Sequence, residues 1–289
     1  MDNKNFGTLY LCPTPIGNLE DITFRVISTL KSADLIAAED TRHTIKLLNH
    51  FEINTPLTSY YEHNKRHKGT LLLDRLSRGE NIAIVSDAGT PGISDPGEDM
   101  VRLCVENGIE VVALPGATAV TVALTVSGLP TGRFAFEGFL TTNKKNRRVH
   151  LQNVKDDMRT LIFYEAPHKL KSTLSDMLEA FGDRDIVIAR ELTKKFEEVN
   201  RTTIAAAIEK YEEVTPKGEF VLVISGAAET EADIEDVDIE SELKRLIEQG
   251  MSGNEAAKAI AKEYSLPKRE VYAVYLNLNK DFDNSRKKD

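Results

Sequence analysis

Several function classes are missing their marks in this sequence. The two cysteines, Cys12 and Cys104, stand in separate apolar runs without a CxxC spacing. Neither a disulfide framework nor a structural zinc site is therefore expected, and a reducing, cytoplasmic setting is. The six histidines are scattered and form no HExxH, so no metal site is expected. No apolar run approaches the ~20 residues needed to cross a bilayer. The opening MDNKNFGTLY has no basic-then-apolar leader, so neither secretion nor membrane association is expected. Also absent are the lysine-bearing phosphate loop G-x-x-x-x-G-K-[ST] and the dinucleotide signature G-x-G-x-x-G.

The chain has 289 residues, 41% hydrophobic and 29% charged, which is ordinary for a globular protein of two medium domains or one large one. The net charge of −9 argues at first against a nucleic-acid partner. Its distribution changes that reading. Segment 229–242, ETEADIEDVDIESE, holds eight acids and no base, so the rest of the chain is close to neutral. Against that remainder stand HNKRHK (63–68) and TTNKKNRRVH (141–150). The second carries Lys144, Lys145, Arg147 and Arg148 with no acid among them. It reads either as a solvated face or as a phosphate-contacting patch.

Periodicity predicts an α/β fold: two α/β domains, 1–116 and 117–228, followed by an acidic linker and a small helical domain over 229–289. In the first domain GTLYLC, DLIAAE, TPLTSYY, NIAIVS and IEVVALPG read as strands. DITFRVISTLKSA, TRHTIKLLNHF, KGTLLLDRLSRG and GEDMVRLCVENG read as helices. Asp21 is the expected N-cap of the first helix, Thr41 of the second, and Gly79 and Gly108 close the last two. Strands alternating with helices imply a mostly parallel sheet covered on both faces. In the second domain FAFEGF, TLIFYEAP, DIVIARELT and EFVLVIS read as strands of a mixed sheet, with a helix over RTTIAAAIEKYEE. The tail predicts three short helices. Ile239, Leu243, Leu246 and Ile247 form one stripe, Ser252 and Glu255 form a capping box, and Ser265 with Pro267 opens the last. Such a module is either helix-turn-helix-like or a packing and dimerisation element.

Ligands of open parallel sheets bind outside the carboxyl ends of the strands. Five polar or Gly/Pro-rich loops fall there: PTPIGN (13–18), EDTR (39–42), YYEHN (60–64), SDAGTPGISDPG (86–97) and PGATA (115–119). The 86–97 loop holds no base, so it suits a zwitterionic or weakly charged ligand better than a triphosphate. Asp87, at a strand end, is expected to face that ligand. Asp95, in its D-P-G setting, is expected only to shape the turn. Glu39, Asp40 and Arg42 form either a ligand clamp or a structural pair, and His63 beside Glu62 is a candidate acid–base pair.

Together PTPIGNLEDIT, AEDTR, EHN, SDAGTPGISDPG, LPGATA, FYEAPHKL, ARELTKKFEE and KGEFVLVISG, in this order between residues 9 and 226, resemble the tetrapyrrole methylase superfamily of S-adenosyl-L-methionine-dependent methyltransferases (class III). The nearest group is the bacterial small-subunit ribosomal RNA (cytidine-2′-O)-methyltransferases, whose C-terminal helices the tail also resembles. The first loop, PTPIGN, departs from the superfamily's G-x-G-P-G, as that group does. The resemblance implies two α/β domains with the methyl donor in the cleft between them. Position by position, it implies donor contacts at Pro15, Ser86, Asp87, Thr90, Thr118, Ala119, Tyr164, Glu165, Ala166, Arg190, Glu191, Leu192, Gly218 and Glu219. It further implies 16S rRNA of the small ribosomal subunit as partner, and a homodimer.

For transfer to a ribose 2′-OH, the candidates for general base are Glu39, Asp40 and His63, with Arg42 as a positioner. Lys144, Lys145, Arg147 and Arg148 are the candidate RNA contacts. Three alternatives remain open at this point: methylation of a tetrapyrrole or other small molecule, a non-enzymatic ribosome assembly factor, and a Mg²⁺-dependent phosphohydrolase.

Overall fold

A computed structural model describes residues 6–228, 238–264 and 266–285. The chain divides into two compact units, 1–227 and 228–289. Unit 1 contains two five-stranded sheets.

The first sheet is built from β1 (Thr8–Leu11), β2 (Leu35–Ala38), β3 (Leu57–Ser59), β4 (Ile82–Val85) and β5 (Glu110–Ala113), in the order β3-β2-β4-β1-β5. All its pairings are parallel. Every residue of β2 and β4 is buried, as the unbroken apolar runs LIAA and IAIV require. Alternation then splits each run between two cores. Leu35, Ala37, Ile82 and Ile84 pack under α3 (Lys65–Ser77) and α4 (Glu98–Glu106) through Leu72, Leu76, Met100 and Cys104. Ile36, Ala38, Ala83 and Val85 pack under α1 (Phe24–Ser32) and α2 (Thr41–His50) through Val26, Leu30 and Leu48. Both cysteines are free and buried, and burial pushes their thiols up, to about 12 for Cys12 and about 11 for Cys104.

Two helix starts differ from expectation. Asp21 does not cap α1, because residues 19–21 form a separate 3₁₀ turn capped by Asn18, and Thr23 caps α1 by accepting from the Val26 N–H. Thr41 does not cap α2. Asp40 does, accepting from the Arg42 N–H.

The second sheet comprises β6 (Phe134–Phe139), β7 (Thr160–Glu165), β8 (Asp185–Arg190), β9 (Glu198–Thr203) and β10 (Phe220–Ile224), in the order β6-β7-β10-β8-β9. Only β6–β7 is parallel, so the sheet is mixed as expected. One face is covered by α5 (Ala119–Ser127), the other by α6 (Lys144–Val154), α7 (Leu170–Phe181) and α8 (Ile204–Glu213). The helix expected from Arg201 begins only at Ile204, because 198–203 is an edge strand paired along its whole length with β8. Its sequence, EVNRTT, has too few apolar residues for a period to show.

The C-terminal unit holds α9 (Ile239–Glu248), α10 (Gly253–Glu263) and α11 (Lys268–Ser285) around Leu243, Leu246, Ala256, Ala257, Ile260 and Val271. The Ser252–Glu255 capping box is formed. Ile247 leaves the expected stripe and is exposed. Most of the acidic linker, 229–237, and the proposed cap Ser265 lie outside the described residues. No helix among the described residues is long and apolar enough to cross a membrane.

Candidate active site

Parallel pairing of β1, β2, β4 and β5 brings the loops after their carboxyl ends to one edge, and hydrogen bonds tie those loops together. Thr14 and Gly89 exchange backbone hydrogen bonds of 2.9 and 3.0 Å. The Thr14 hydroxyl donates to the Ser86 carbonyl at 3.1 Å and the Thr90 hydroxyl to the Ala117 carbonyl at 3.2 Å. Gly89 sits at φ +82°, a conformation that a side chain would strain. The Asp40 N–H donates to Asp87 Oδ1 at 3.0 Å, joining the loop after β2 to the loop after β4. From the second sheet, Thr193 Oγ1 accepts from the Asn18 N–H at 3.0 Å, so loops of both sheets meet.

Two adjoining cavities result. The first, about 410 Å³, lies between the sheets. It is lined by Glu39, Asp87, Thr90, Asp95, Thr118, Ala119, Tyr164, Glu165, Ala166 and Glu219, together with Ile16, Ile93, Phe139, Pro167, Phe220 and Val221. No lysine, arginine or histidine lines it. The second, about 570 Å³, lies against α2 and is lined by Pro15, Ser86, His43, Lys46, His50 and Lys194 among others. Ile16, Asp87, Ala88 and Glu219 line both.

Of the five carboxyls that line the inter-sheet cavity, Glu39, Asp87 and Asp95 act on one another. Burial, with the charges of Glu39 and Asp87 behind it, pushes Asp95 up to about 7 against the opposing hydrogen bond from Ser86. Burial and the Asp87 charge likewise raise Glu39. Asp95 therefore lines the cavity as well as standing in its turn. The D-P-G context hid this, because the two groups that perturb it arrive from β2 and β4.

Asp40 and His63 are not placed as bases. Asp40 accepts from Arg42 Nη2 at 2.7 Å and from the Arg42 N–H at 2.8 Å, and these bonds hold its carboxyl well below the usual carboxylate range. Arg42 is correspondingly a structural partner of Asp40, with its side chain 89% exposed. His63 is exposed, stacks edge-on to Tyr61 and lines neither cavity, while its neighbour Glu62 pairs with Lys65 at 2.7 Å.

The residues expected around the donor divide in the same way. Thr90, Thr118, Ala119, Tyr164, Ala166 and Glu219 line the inter-sheet cavity. Glu165 does too, with its buried carboxylate bound to Lys169 Nζ at 2.9 Å, the Ala166 N–H at 2.8 Å and the Thr173 hydroxyl at 2.5 Å. Pro15 and Ser86 line the adjoining cavity.

Arg190, Glu191, Leu192 and Gly218 line neither. The Arg190 side chain turns away to Glu198 at 3.0 Å. Leu192 is in the apolar layer under α5. Glu191 Oε1 accepts from the Glu219 N–H and from Lys194 Nζ, both at 3.0 Å, bracing the β10 approach. Gly218, at φ +87°, leaves room for that brace, since a Cβ there would lie 2.6 Å from the Glu191 side chain.

Phe139 was missed as a wall. A register shift between Phe136 and Gly138 marks a bulge that re-aims the end of β6. Phe139 then lies 5.4 Å, edge-on, from Tyr164 and is 54% exposed. The aromatic-Gly-aromatic end of FAFEGF was the available signal.

The basic run on α6 is corrected in part. Arg147 is 5% exposed, and its Nε donates to Asp176 Oδ2 at 2.7 Å. Arg148 pairs with Asp176 and Glu179. Burial alone would push the Asp176 carboxyl up, but the hydrogen bonds from the two arginines outweigh it and hold it down. Both arginines thus serve the α6–α7 contact. Lys144 and Lys145 remain exposed. Among the described residues no group of three or more His, Cys, Asp or Glu side chains is arranged to hold a metal ion.

Comparison with known proteins identifies the family. The family model for tetrapyrrole (corrin/porphyrin) methylases matches residues 8–208. The ribosomal RNA small subunit methyltransferase I of Synechocystis sp. is 50% identical over 277 residues, covering 95% of this chain and 99% of the relative. The protein of that name from Halalkalibacterium halodurans is 52% identical, covering 93% and 94%. Among solved structures, the methyltransferase CobJ aligns with a TM-score of 0.58 at 20% identity, over 77% of this chain and 95% of that one. A uroporphyrin-III C-methyltransferase from Thermus thermophilus, in complex with S-adenosylhomocysteine, aligns at 0.52 and 18% identity, over 76% and 97%. At such identities the structures speak for the fold alone. The family match over most of the chain and the near-full-length relatives show that this chain belongs to the tetrapyrrole (corrin/porphyrin) methylase family, among its ribosomal RNA small subunit methyltransferases I.

Proposed function

We propose that the protein methylates the 2′-oxygen of a cytidine in 16S rRNA of the small ribosomal subunit, with S-adenosyl-L-methionine as methyl donor. We further propose that it acts in the cytoplasm as a homodimer. The observation that carries the reading is the inter-sheet cavity, walled by backbone-rich loops, carboxyls and aromatic rings, with no cation in its lining. Such a site fits a molecule bearing sulfonium and ammonium charges and an aromatic ring. Bound there, the donor supplies an electrophilic methyl group.

In this reading Asp87, Thr90, Thr118, Ala119, Tyr164, Glu165, Ala166 and Glu219 hold the donor. Phe139 and Tyr164 offer ring faces or edges to its aromatic part. Glu191 and Gly218 act one step back, by fixing the Glu219 backbone.

Methyl transfer to oxygen is an in-line displacement in which positive charge disperses, so no oxyanion hole is needed. The C–O bond forms as the C–S bond breaks, and the hydroxyl proton must leave. Positioning and exclusion of water can supply about 7–11 kcal/mol. A base near neutrality adds roughly 10²–10⁴-fold. Asp95 lines this cavity, and burial first, then the charges of Glu39 and Asp87, raise its proton affinity to suit that task. Lys144 and Lys145 are proposed as outlying phosphate contacts.

The test is calorimetry of donor binding followed by transfer of labelled methyl to unmethylated small ribosomal subunits. Binding in the micromolar range with incorporation into the rRNA supports the reading. Donor binding with incorporation only into a porphyrinoid would overturn it.

A further inference from the structure

We infer that the cavity against α2 takes the substrate strand, and that His43, Lys46 and His50 hold its phosphates; this rests on the RNA methylation proposed above. The two adjoining cavities differ in charge. The inter-sheet cavity presents Glu39, Asp87, Asp95, Glu165 and Glu219 and no base, so it repels a polyanion. The α2 cavity presents four cationic or protonatable side chains, His43, Lys46, His50 and Lys194.

The α2 groups follow an i, i+3, i+7 spacing, which sets them on one helix face. Leu48 holds the far side of the helix in the core, and the buried Thr44 borders the cavity beside them. His43, Lys46 and His50 are exposed, and none makes an ion pair within the described residues. Two other cations nearby are already neutralised. Arg42 is bound to Asp40, and Lys194 to Glu191 at 3.0 Å and Glu219 at 2.9 Å. The α2 triad is therefore what remains for an external anion.

The rest of the lining suits a nucleotide. Pro15, Ile16, Leu19 and Leu47 give the cavity an apolar side on which a base or sugar can rest. Leu19 is 40% exposed although apolar. A single strand combines flat apolar bases with a phosphate at every step, and proteins that bind one pair such surfaces with cations. The shared wall of Ile16, Asp87, Ala88 and Glu219 is where an acceptor oxygen in this cavity would face the donor in the other.

The experiment compares Lys46→Glu and the double variant His43→Ala/His50→Ala with wild type. Lys171→Glu, the same charge change on the exposed surface of α7, is the control. Steady-state methyl incorporation into unmethylated small subunits is read across salt concentrations, with donor affinity by calorimetry and folding by circular dichroism. We expect Lys46→Glu to raise the KM for subunits roughly tenfold and to flatten its log–log salt dependence by about 0.7 for the lost contact. Donor affinity and kcat should stay within about twofold, and the histidine pair should shift KM in the same direction. A Lys46→Glu enzyme that is folded and matches Lys171→Glu in KM and salt slope overturns the inference alone. A wild-type enzyme that binds donor but transfers nothing to rRNA overturns the functional reading, and this inference with it.

Discussion

Replacing Asp95 by asparagine removes a carboxyl that the fold disfavours when charged. In the folded chain its pKa moves from 3.8 up to about 7. Between those values the folded state holds a proton that the unfolded chain has released. Stability from this group is thus fully present below about pH 4 and is lost as pH rises through about 7. At 1.36 kcal/mol per pH unit the loss has an upper bound of about 4 kcal/mol. Asp95 keeps an edge in solvent, and screening there reduces the figure to roughly 2 kcal/mol. Asparagine has nothing to ionise and preserves the size of the side chain. In urea unfolding without donor, wild type and Asp95→Asn should be similar at pH 4. By pH 8 the variant should be the more stable by roughly 2 kcal/mol. Two curves that keep a constant offset from pH 4 to pH 8 would refute the idea that Glu39, Asp87 and burial act on Asp95.

The same substitution should lower the single-turnover methyl-transfer rate by roughly 10²–10⁴-fold, if Asp95 takes the hydroxyl proton. In wild type, kcat/KM should climb with pH to a plateau above about pH 7, and quench-flow on Asp95→Asn should find that limb missing. Asp176→Ala would leave Arg147 buried without its carboxylate and should cost about 3–5 kcal/mol in urea unfolding. Lys144→Glu, on the exposed side of the same helix, should change stability by about 0.5 kcal/mol or less. Gly218→Ala, at φ +87° and against the Glu191 side chain, should cost about 1–3 kcal/mol and weaken donor binding measured by calorimetry.

Both sheets could be read from the sequence because their central strands are unbroken apolar runs bounded by turn residues. LIAA and IAIV declare burial on two faces, and FAFEGF appears as a strand with its expected limits. The edge strand β9 was illegible, since EVNRTT is polar and gains its strand character only from pairing with β8. The loops on the carboxyl edge were legible as a ligand site because Gly and Pro cluster at strand ends. The roles within them were less so. Asp40 and Arg42 are two residues apart and neutralise each other, whereas Asp95 acquires its character from burial in the fold and from Glu39, 56 positions earlier in the chain. The basic run on α6 misled in the same way. Its acids, Asp176 and Glu179, sit on another helix. The order of residues shows which charges neighbour each other along the chain, and the fold decides which remain available.

The most direct measurement is to incubate unmethylated small ribosomal subunits with isotope-labelled S-adenosyl-L-methionine and the wild-type enzyme, digest the RNA to nucleosides and identify the labelled product by mass spectrometry. The account predicts a single labelled nucleoside, 2′-O-methylcytidine. Label on a base, on another nucleoside, or absent from the RNA while the donor demonstrably binds would contradict it.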